Sequence, residues 1–587
     1  MRTLRVRGWE MSAAVVAIVG LAGWAYSAAA TEEAGAKQAN QTAKTAKADG
    51  AEIFNREWLP KDARAGRGDG LGPVFNDTSC VACHNQGGVG GGGPASKNVD
   101  VISVFSNVAD SDPFGPAPAT LPEAMFRAMF GGFGGSAVQV TDATVQSVKA
   151  GAMDPKELAK KQKKELETIH PGFVNARSVV LHKSSTDPAY DAWRLQMKGQ
   201  GQMVFHAVEV DGGAVLQGDL ILDAAPATTF TVTEAVEVAV QAAEVEVTTP
   251  PLQESAAQAA RNQLAQQLIQ QHRNDVQLFR SSPQAHIGNF VFLSSQRNPT
   301  ALYGAGLIDS IPVEAIKENA QKKHKDFPEV QGRIAKLKDG RIGRFGWKNQ
   351  TATLYDFAMT ACAVELGLDV PDHPQAGLPH NKDYKSSGHD MSKEECNALV
   401  DYLKRLPAPE RAKPAGKQEA EYLAAGEATF KAVGCATCHT QELGNAKGVY
   451  SDLLLHDMGQ DLGDTGSYGT FIPNSPEEGS DEPIPSLAQQ HGIFGGIGSG
   501  GVAKVDRQNT IGALRQEWRT PPLWGVRDSG PYLHDGRADT LEQAIALHGG
   551  EAARSAQRFF EIKPEERMQV LAFLKSLRAP ETLVAAR

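Results

Sequence analysis

The chain has 587 residues, of which 41% are hydrophobic and 22% charged, and its formal net charge is −10. That length allows several domains with sizeable cores, and an acidic balance with no basic tract argues against nucleic-acid partners while leaving redox partners open. Six cysteines are too few for a disulfide scaffold in a chain of this size.

At the N-terminus, Arg2, Arg5 and Arg7 precede the apolar run MSAAVVAIVGLAGWAYSAAA at 11–30. A positive start, an apolar core and a small-residue end predict a secretory signal over 1–30, removed on export to the periplasm or an equivalent compartment. An uncleaved membrane anchor is the other reading, because the run nearly reaches spanning length. Residues 31–50, rich in Ala, Lys, Thr and Gln, predict a flexible mature N-terminus.

The first chemical motif is CVACH, with Cys80, Cys83 and His84; a second, CATCH, holds Cys435, Cys438 and His439. C-x-x-C-H is the attachment pattern of c-type haem. Two thiols about one turn apart can add to two vinyl groups on one porphyrin edge, and the adjacent histidine then lies under the ring to ligate iron. A zinc knuckle would need further ligands at short spacing, and a redox C-x-x-C needs no histidine. Two motifs predict two covalent haems. The glycine run GGVGGGGP at 87–94 is either a close backbone approach to a porphyrin face or a flexible loop.

Residues 140–290 do not read as cytochrome c. Period-2 alternation within 230–249 predicts strands, and 253–279 predicts a helix, so this stretch is a mixed α/β insertion in the first of two haem domains. MSKEECNALVDYLKRL predicts a helix that opens on a capping box, and the Pro- and Lys-rich 406–418 predicts a linker. The expected fold is mainly α: a first cytochrome-c-like domain over 51–405 and a second over 419–587. Gly426 and Phe430 precede the second motif as in many class I cytochromes c. In IALHGGEA, His548 is either an iron ligand or a surface residue at a helix end, and the two glycines after it permit a sharp turn or a close approach to something flat.

Several stretches together, GDGLGPVFNDTSCVACH, SQRNPTALYGAGLIDSIP, GRFGWKNQTATL, SDLLLHDMG and EWRTPPLWGVRDSGPYLHDGRADTLEQAIALHGGEA, resemble the di-haem oxidoreductase (di-haem thiol oxidoreductase) family, related to bacterial di-haem cytochrome c peroxidases. RNPTALYGAGLIDS and RTPPLWGVRDSGPY also resemble each other, as expected if each half carries one haem. The resemblance implies that His548 stands where the relatives place a Met or Tyr ligand, making the second haem bis-histidine (His439 and His548) with a lowered potential. Met458 and His456 are the rival ligands, read as structural or propionate contacts, and His534 as a turn or packing residue.

For the first haem, the place of the relatives' distal histidine reads Ser294 and Ser295, with His286 a few residues upstream; an open sixth position opposite His84 is the expectation. Trp347 matches the tryptophan between the haems, an electron relay, and Glu365 matches a distal carboxylate that moves a proton between peroxide oxygens. Phe357 stands where the relatives have a glutamine, which removes a donor. Cys362 and Cys396 could pair as a disulfide or stay two buried thiols. The resemblance leaves calcium between the halves open, with no supporting motif. The implied activity is reduction of hydrogen peroxide, or its use to oxidise a substrate, with electrons from a small redox protein. The competing readings are a pure electron-transfer cytochrome and an oxygenase acting on an organic or protein substrate.

Overall fold

A computed structural model describes residues 48–106, 155–198 except 175 and 177, 202–210, 213–221, 251–277, 284–464 except 289, 380 and 382, then 466, 468 and 512–581. Gly50–Arg587 form one compact unit.

The first core is built by helices. In helix Lys393–Arg405 the buried positions Cys396, Leu399, Val400 and Leu403 recur at helical spacing, which makes one apolar stripe. Its start is the expected capping box: Ser392 Oγ accepts from Glu395 N at 3.2 Å, and Glu395 Oε2 accepts from Ser392 N at 2.9 Å. This stripe packs on helix Gly50–Asn55 and shares a core with Trp58, Leu354, Met359 and Cys362. Helix Leu354–Glu365 is N-capped by Thr353 and buries nearly one whole side. It ends at Glu365, and that end is pinned: Gly72 N donates to Leu366 O at 3.2 Å and Asn76 N to Glu365 O at 2.7 Å.

Beside this core lies a four-stranded antiparallel sheet, in the order Ser178–Leu181, Val99–Ser106, Phe290–Arg297, Gln284–Ile287. Alternation along Val99–Ser106 sends Ile102 and Val104 into a core with Leu166, Phe173 and Phe292. It sends Val99 and Val101 to the other face, against Val180, Val364 and Tyr468. The second core is helical: Lys417–Ala432 crosses Pro564–Lys575, with Phe430, Phe559, Phe560 and Phe573 at its centre.

The described architecture is a mixture of helix and strand rather than a mainly helical one, and the reason is the sheet. Its two central strands, Val99–Ser106 and most of Phe290–Arg297, lie outside the stretch read as an insertion, while Ser178–Leu181 and Gln284–Ile287 lie inside it. The stretch read as an insertion therefore shares one sheet with strands on either side of it. Its helix forms as expected, over Pro251–Gln277, but packs on Leu541–Ala546 and Ala553–Glu561 of the second half. There Arg273 Nε donates to Ala546 O at 2.9 Å and Arg273 pairs with Asp461 at 3.0 Å. The strands expected within 230–249, the signal over 1–30 and most of 31–50 lie outside the described residues. Among the described residues, no helix is long and apolar enough to cross a membrane.

Candidate functional site

Each C-x-x-C-H motif opens onto its own cavity. The first motif begins as a single helical turn, Cys80–Cys83, capped by Ser79, whose side chain accepts from Ala82 N at 3.2 Å. His84 N continues the turn to Cys80 O at 3.0 Å. The glycine run 87–94 is an ordered loop, and its Gly92 lines one of the two cavities. It folds back around the histidine: Gly90 N donates to His84 O at 2.9 Å, and Gly91 O faces His84 Nδ1 at 3.2 Å. Donation from Nδ1 to that carbonyl leaves Nε2 as a lone-pair ligand. Burial lowers the imidazole pKa to about 4, so it is neutral at pH 7.

The first cavity holds about 1000 Å³ of space free of protein atoms, part of it open to solvent. Cys80, Cys83, His84, Phe357, Cys362, Glu365 and Tyr468 are among its walls, and His84 is the one histidine of the described lining. Thiols, one neutral imidazole and a largely apolar wall suit a covalently attached porphyrin. At the far end, Glu365 accepts from Asn76 Nδ2 at 2.7 Å and from the Tyr468 hydroxyl. Burial raises its pKa, against the lowering effect of those two donors. Asp77, next to the motif, takes Lys97 Nζ at 2.5 Å.

The second cavity is larger, about 2070 Å³ by the same measure. Cys435, Cys438, His439 and His548 line it together. His439 Nδ1 faces Tyr450 O at 3.0 Å and His548 Nδ1 faces Ala544 O at 2.7 Å. Both imidazoles thus turn Nδ1 to a backbone carbonyl in the same way as His84. Burial lowers both pKa values, that of His439 to about 4. Helix Leu541–Ala546, capped by Thr540 and Gln543, carries His548 just past its end. The glycines after it allow a close backbone crossing: Gly550 has φ +51°, and a Cβ there would lie 2.2 Å from Asp457 O.

The rival ligands separate. His456 has both ring nitrogens engaged, Nε2 with Asp452 at 2.8 Å and Nδ1 with Glu551 at 2.9 Å. Burial alone would lower its pKa, but the Cys438 sulfur and the Asp452 carboxylate hold it well above the usual range. It is a buried charge node. Met458 lines the second cavity and packs beside Trp347 and Leu533. His534 stacks on Trp518, with ring centroids 3.7 Å apart, in keeping with a packing role. Cys438, Asp452 and His456 form a group with metal-binding spacing, but sulfur and nitrogen among its donors do not match the oxygen shell calcium takes.

Trp347 lines both cavities, as do Asn298, Pro299, Thr300, Gly346 and Phe357. Its Nε1 donates to Asn298 O at 2.9 Å, which fixes the ring. Phe357 stacks on Phe345 at 5.8 Å and brings no donor. Cys362 and Cys396 are both buried free thiols, not a disulfide; burial pushes both pKa values up, that of Cys396 to about 11. His286 lies on the edge strand Gln284–Ile287, and its side chain is outside the described residues. Sequence reasoning did not find the roles of Tyr468, Asn76 or the Arg297–Asp464 pair, because each acts on a residue far along the chain, although Asn76 and Arg297 sit inside stretches singled out in the sequence.

Residues 471–577 match a family described as "Di-haem oxidoreductase, putative peroxidase". The methylamine utilization protein MauG of Methylorubrum extorquens is 28% identical over 153 residues, 25% of this chain and 31% of that protein. The cytochrome-c peroxidase IdrP1 of Denitromonas iodatirespirans is 22% identical over 162 residues, 26% of this chain and 38% of that protein. The matches thus span about a third of the length of these curated relatives. A MauG-like protein associated with microbial copper homeostasis aligns at 15% identity over 47% of this chain and 92% of that structure, with a TM-score of 0.23, too low to carry an argument.

Proposed function

We propose that this chain, a relative of the di-haem peroxidase-like oxidoreductases, is an exported di-haem c-type cytochrome that reduces hydrogen peroxide, or uses it to oxidise a substrate, at the first cavity. One observation carries the reading: a single tryptophan, Trp347, lines two cavities, one with His84 as the one histidine of its described lining and a buried carboxylate, the other with four histidines, of which His439 and His548 turn Nδ1 to a backbone carbonyl while His456 is ion-paired and His534 stacks on Trp518. The relatives supply the class, di-haem redox enzyme; the division of labour comes from the two walls.

Cys80 and Cys83 would hold the first haem, with His84 as ligand, and Cys435 and Cys438 the second, with His439 and His548. Bound haem supplies one-electron redox chemistry and peroxide activation at iron. The chain's own residues do the rest. His84, His439 and His548 stay neutral through burial, each turned by a backbone carbonyl to present Nε2. Glu365 takes a proton from one peroxide oxygen and returns it to the other, a role that suits a carboxyl whose pKa is raised by burial. Trp347 offers an indole path for electrons that a small redox protein delivers to the second centre. A pure electron carrier would need two ligands at both irons, and the described lining of the first cavity offers the one histidine.

The test is direct. Mass spectrometry of the holoprotein is expected to find two haems, and Cys80→Ala/Cys83→Ala to lose one of them together with peroxide consumption. Full peroxide turnover in that variant would contradict the assignment of the first cavity.

A further inference from the structure

We propose that Tyr468, carried in from the second half of the chain, positions the Glu365 carboxyl in the first cavity, and that Arg297 clamps the segment that delivers it. This rests on the reading of the first cavity as the peroxide site.

The geometry is a two-sided grip on one carboxyl group. Asn76 Nδ2 donates to Glu365 Oε2 at 2.7 Å, and the Tyr468 hydroxyl donates to Oε1. Asn76 is itself held, since its Oδ1 accepts from Lys183 N at 3.0 Å. A terminal carboxyl torsion is broad when unrestrained; a donor on each oxygen fixes its plane and chooses which lone pairs face the cavity. A carboxyl that takes a proton from one oxygen and returns it to a second needs that constancy.

Tyr468 is 103 residues from Glu365, so something must bring it there. Arg297, at the end of the Phe290–Arg297 strand, makes a fork to Asp464: Nη1 to Oδ2 at 2.7 Å and Nη2 to Oδ1 at 3.0 Å. Nη2 also donates to Gly466 O. Asp464 Oδ1 accepts from Gly466 N at 2.6 Å, which closes the turn. At Gly466 a Cβ would lie 2.1 Å from Ser295 Oγ, so a side chain there would have to displace the serine hydroxyl. Gly466 therefore lies against Ser295 of that strand, and the tyrosine ring packs on Val99, Val101, Val180 and Val364.

The phenol acts as a donor. Burial, followed by the Glu365 charge, pushes its pKa well above the ordinary tyrosine range, so it keeps its proton. The charged groups that bear on Glu365 are Lys183 and Asp77, with Lys97 on Asp77. The direct donors to the carboxyl are Tyr468 and Asn76. Phe357, also in the wall of this cavity, brings no donor.

The experiment uses the holoprotein with Y468F, E365Q, the double variant, and 3-fluorotyrosine at 468, which keeps the fold and makes a stronger donor. Two quantities are read: the second-order rate of the peroxide-induced Soret change, and the pH at which the Glu365 carboxyl band titrates in infrared difference spectra against E365Q. Y468F is expected to slow the peroxide reaction about ten- to a hundredfold, as for loss of a hydrogen bond to a charged group. It should also move the carboxyl titration to higher pH, whereas fluorotyrosine moves it to lower pH. In the E365Q background, Y468F should change nothing further, because the two act as a unit.

The proposal is overturned if Y468F leaves rate and titration at wild-type values, or if its rate loss is undiminished in the E365Q background. It is also overturned if Y468F changes the spin state of the first iron, which would make Tyr468 a ligand. Wild-type protein with two haems that ignores peroxide would remove the underlying reading, and the proposal with it, before any variant is made.

Discussion

The two cavities start from the same five-residue pattern and end differently. In both, the motif histidine turns Nδ1 to a backbone carbonyl and is kept neutral by burial. Around the second, the chain adds another histidine, His548, oriented in the same manner, and a buried charge node at His456. Around the first it adds no histidine among the described lining but a buried carboxyl gripped from two sides. On the function proposed above, the attachment motif would specify how a haem is held, and the remaining wall what it does. Two histidines favour a saturated electron-transfer centre, and one histidine with a carboxyl favours a reactive one.

That contrast can be broken in graded steps. The largest effect is expected from Glu365→Gln, which should lower the peroxide reaction by roughly 10²–10⁴-fold while leaving both iron spin states unchanged, as stopped-flow and paramagnetic resonance would show. Asp464→Asn strips the buried Arg297 of its partner and should cost about 3–5 kcal/mol in urea unfolding. The same pair sets an acid limit. Burial alone would raise the Asp464 pKa, but Arg297 holds it well below the usual range. Its contribution to stability is thus fully present above pH ~4, the ordinary aspartate value, and fades as pH falls through the depressed value; Asp464→Asn should flatten that acid limb of a denaturation series. His548→Met should raise the potential of the second centre alone, read by redox titration. Smallest is Trp347→Phe, expected to slow electron exchange between the centres several-fold, by flash photolysis, with both potentials kept.

Much of the site was legible because its chemistry is local. The Cys80–His84 and Cys435–His439 spacings and the Ser392/Glu395 cap each depend on residues within a turn of one another, so they survive reading in one dimension. His548 was proposed as a ligand only through resemblance, since a histidine beside two glycines has many causes; the structure brings it to the cavity that His439 lines, and the glycines clear the Asp457 backbone. What escaped depends on contacts far along the chain. Tyr468 meets Glu365 across 103 residues, and Arg297 meets Asp464 across 167. The fold was misjudged toward helix because the sheet closes strands on either side of 140–290, and alternation does not say which strands pair. Cys362 and Cys396, open to either reading in the sequence, stay apart as buried thiols.

The central claim is a reactive iron beside a saturated one, and the electron paramagnetic resonance spectrum of the oxidised holoprotein, before and after stoichiometric peroxide, tests it most directly. A high-spin ferric signal beside a low-spin one, with the high-spin signal consumed by peroxide, is the expected result. Two low-spin signals indifferent to peroxide, even after partial reduction, would contradict it and leave an electron carrier.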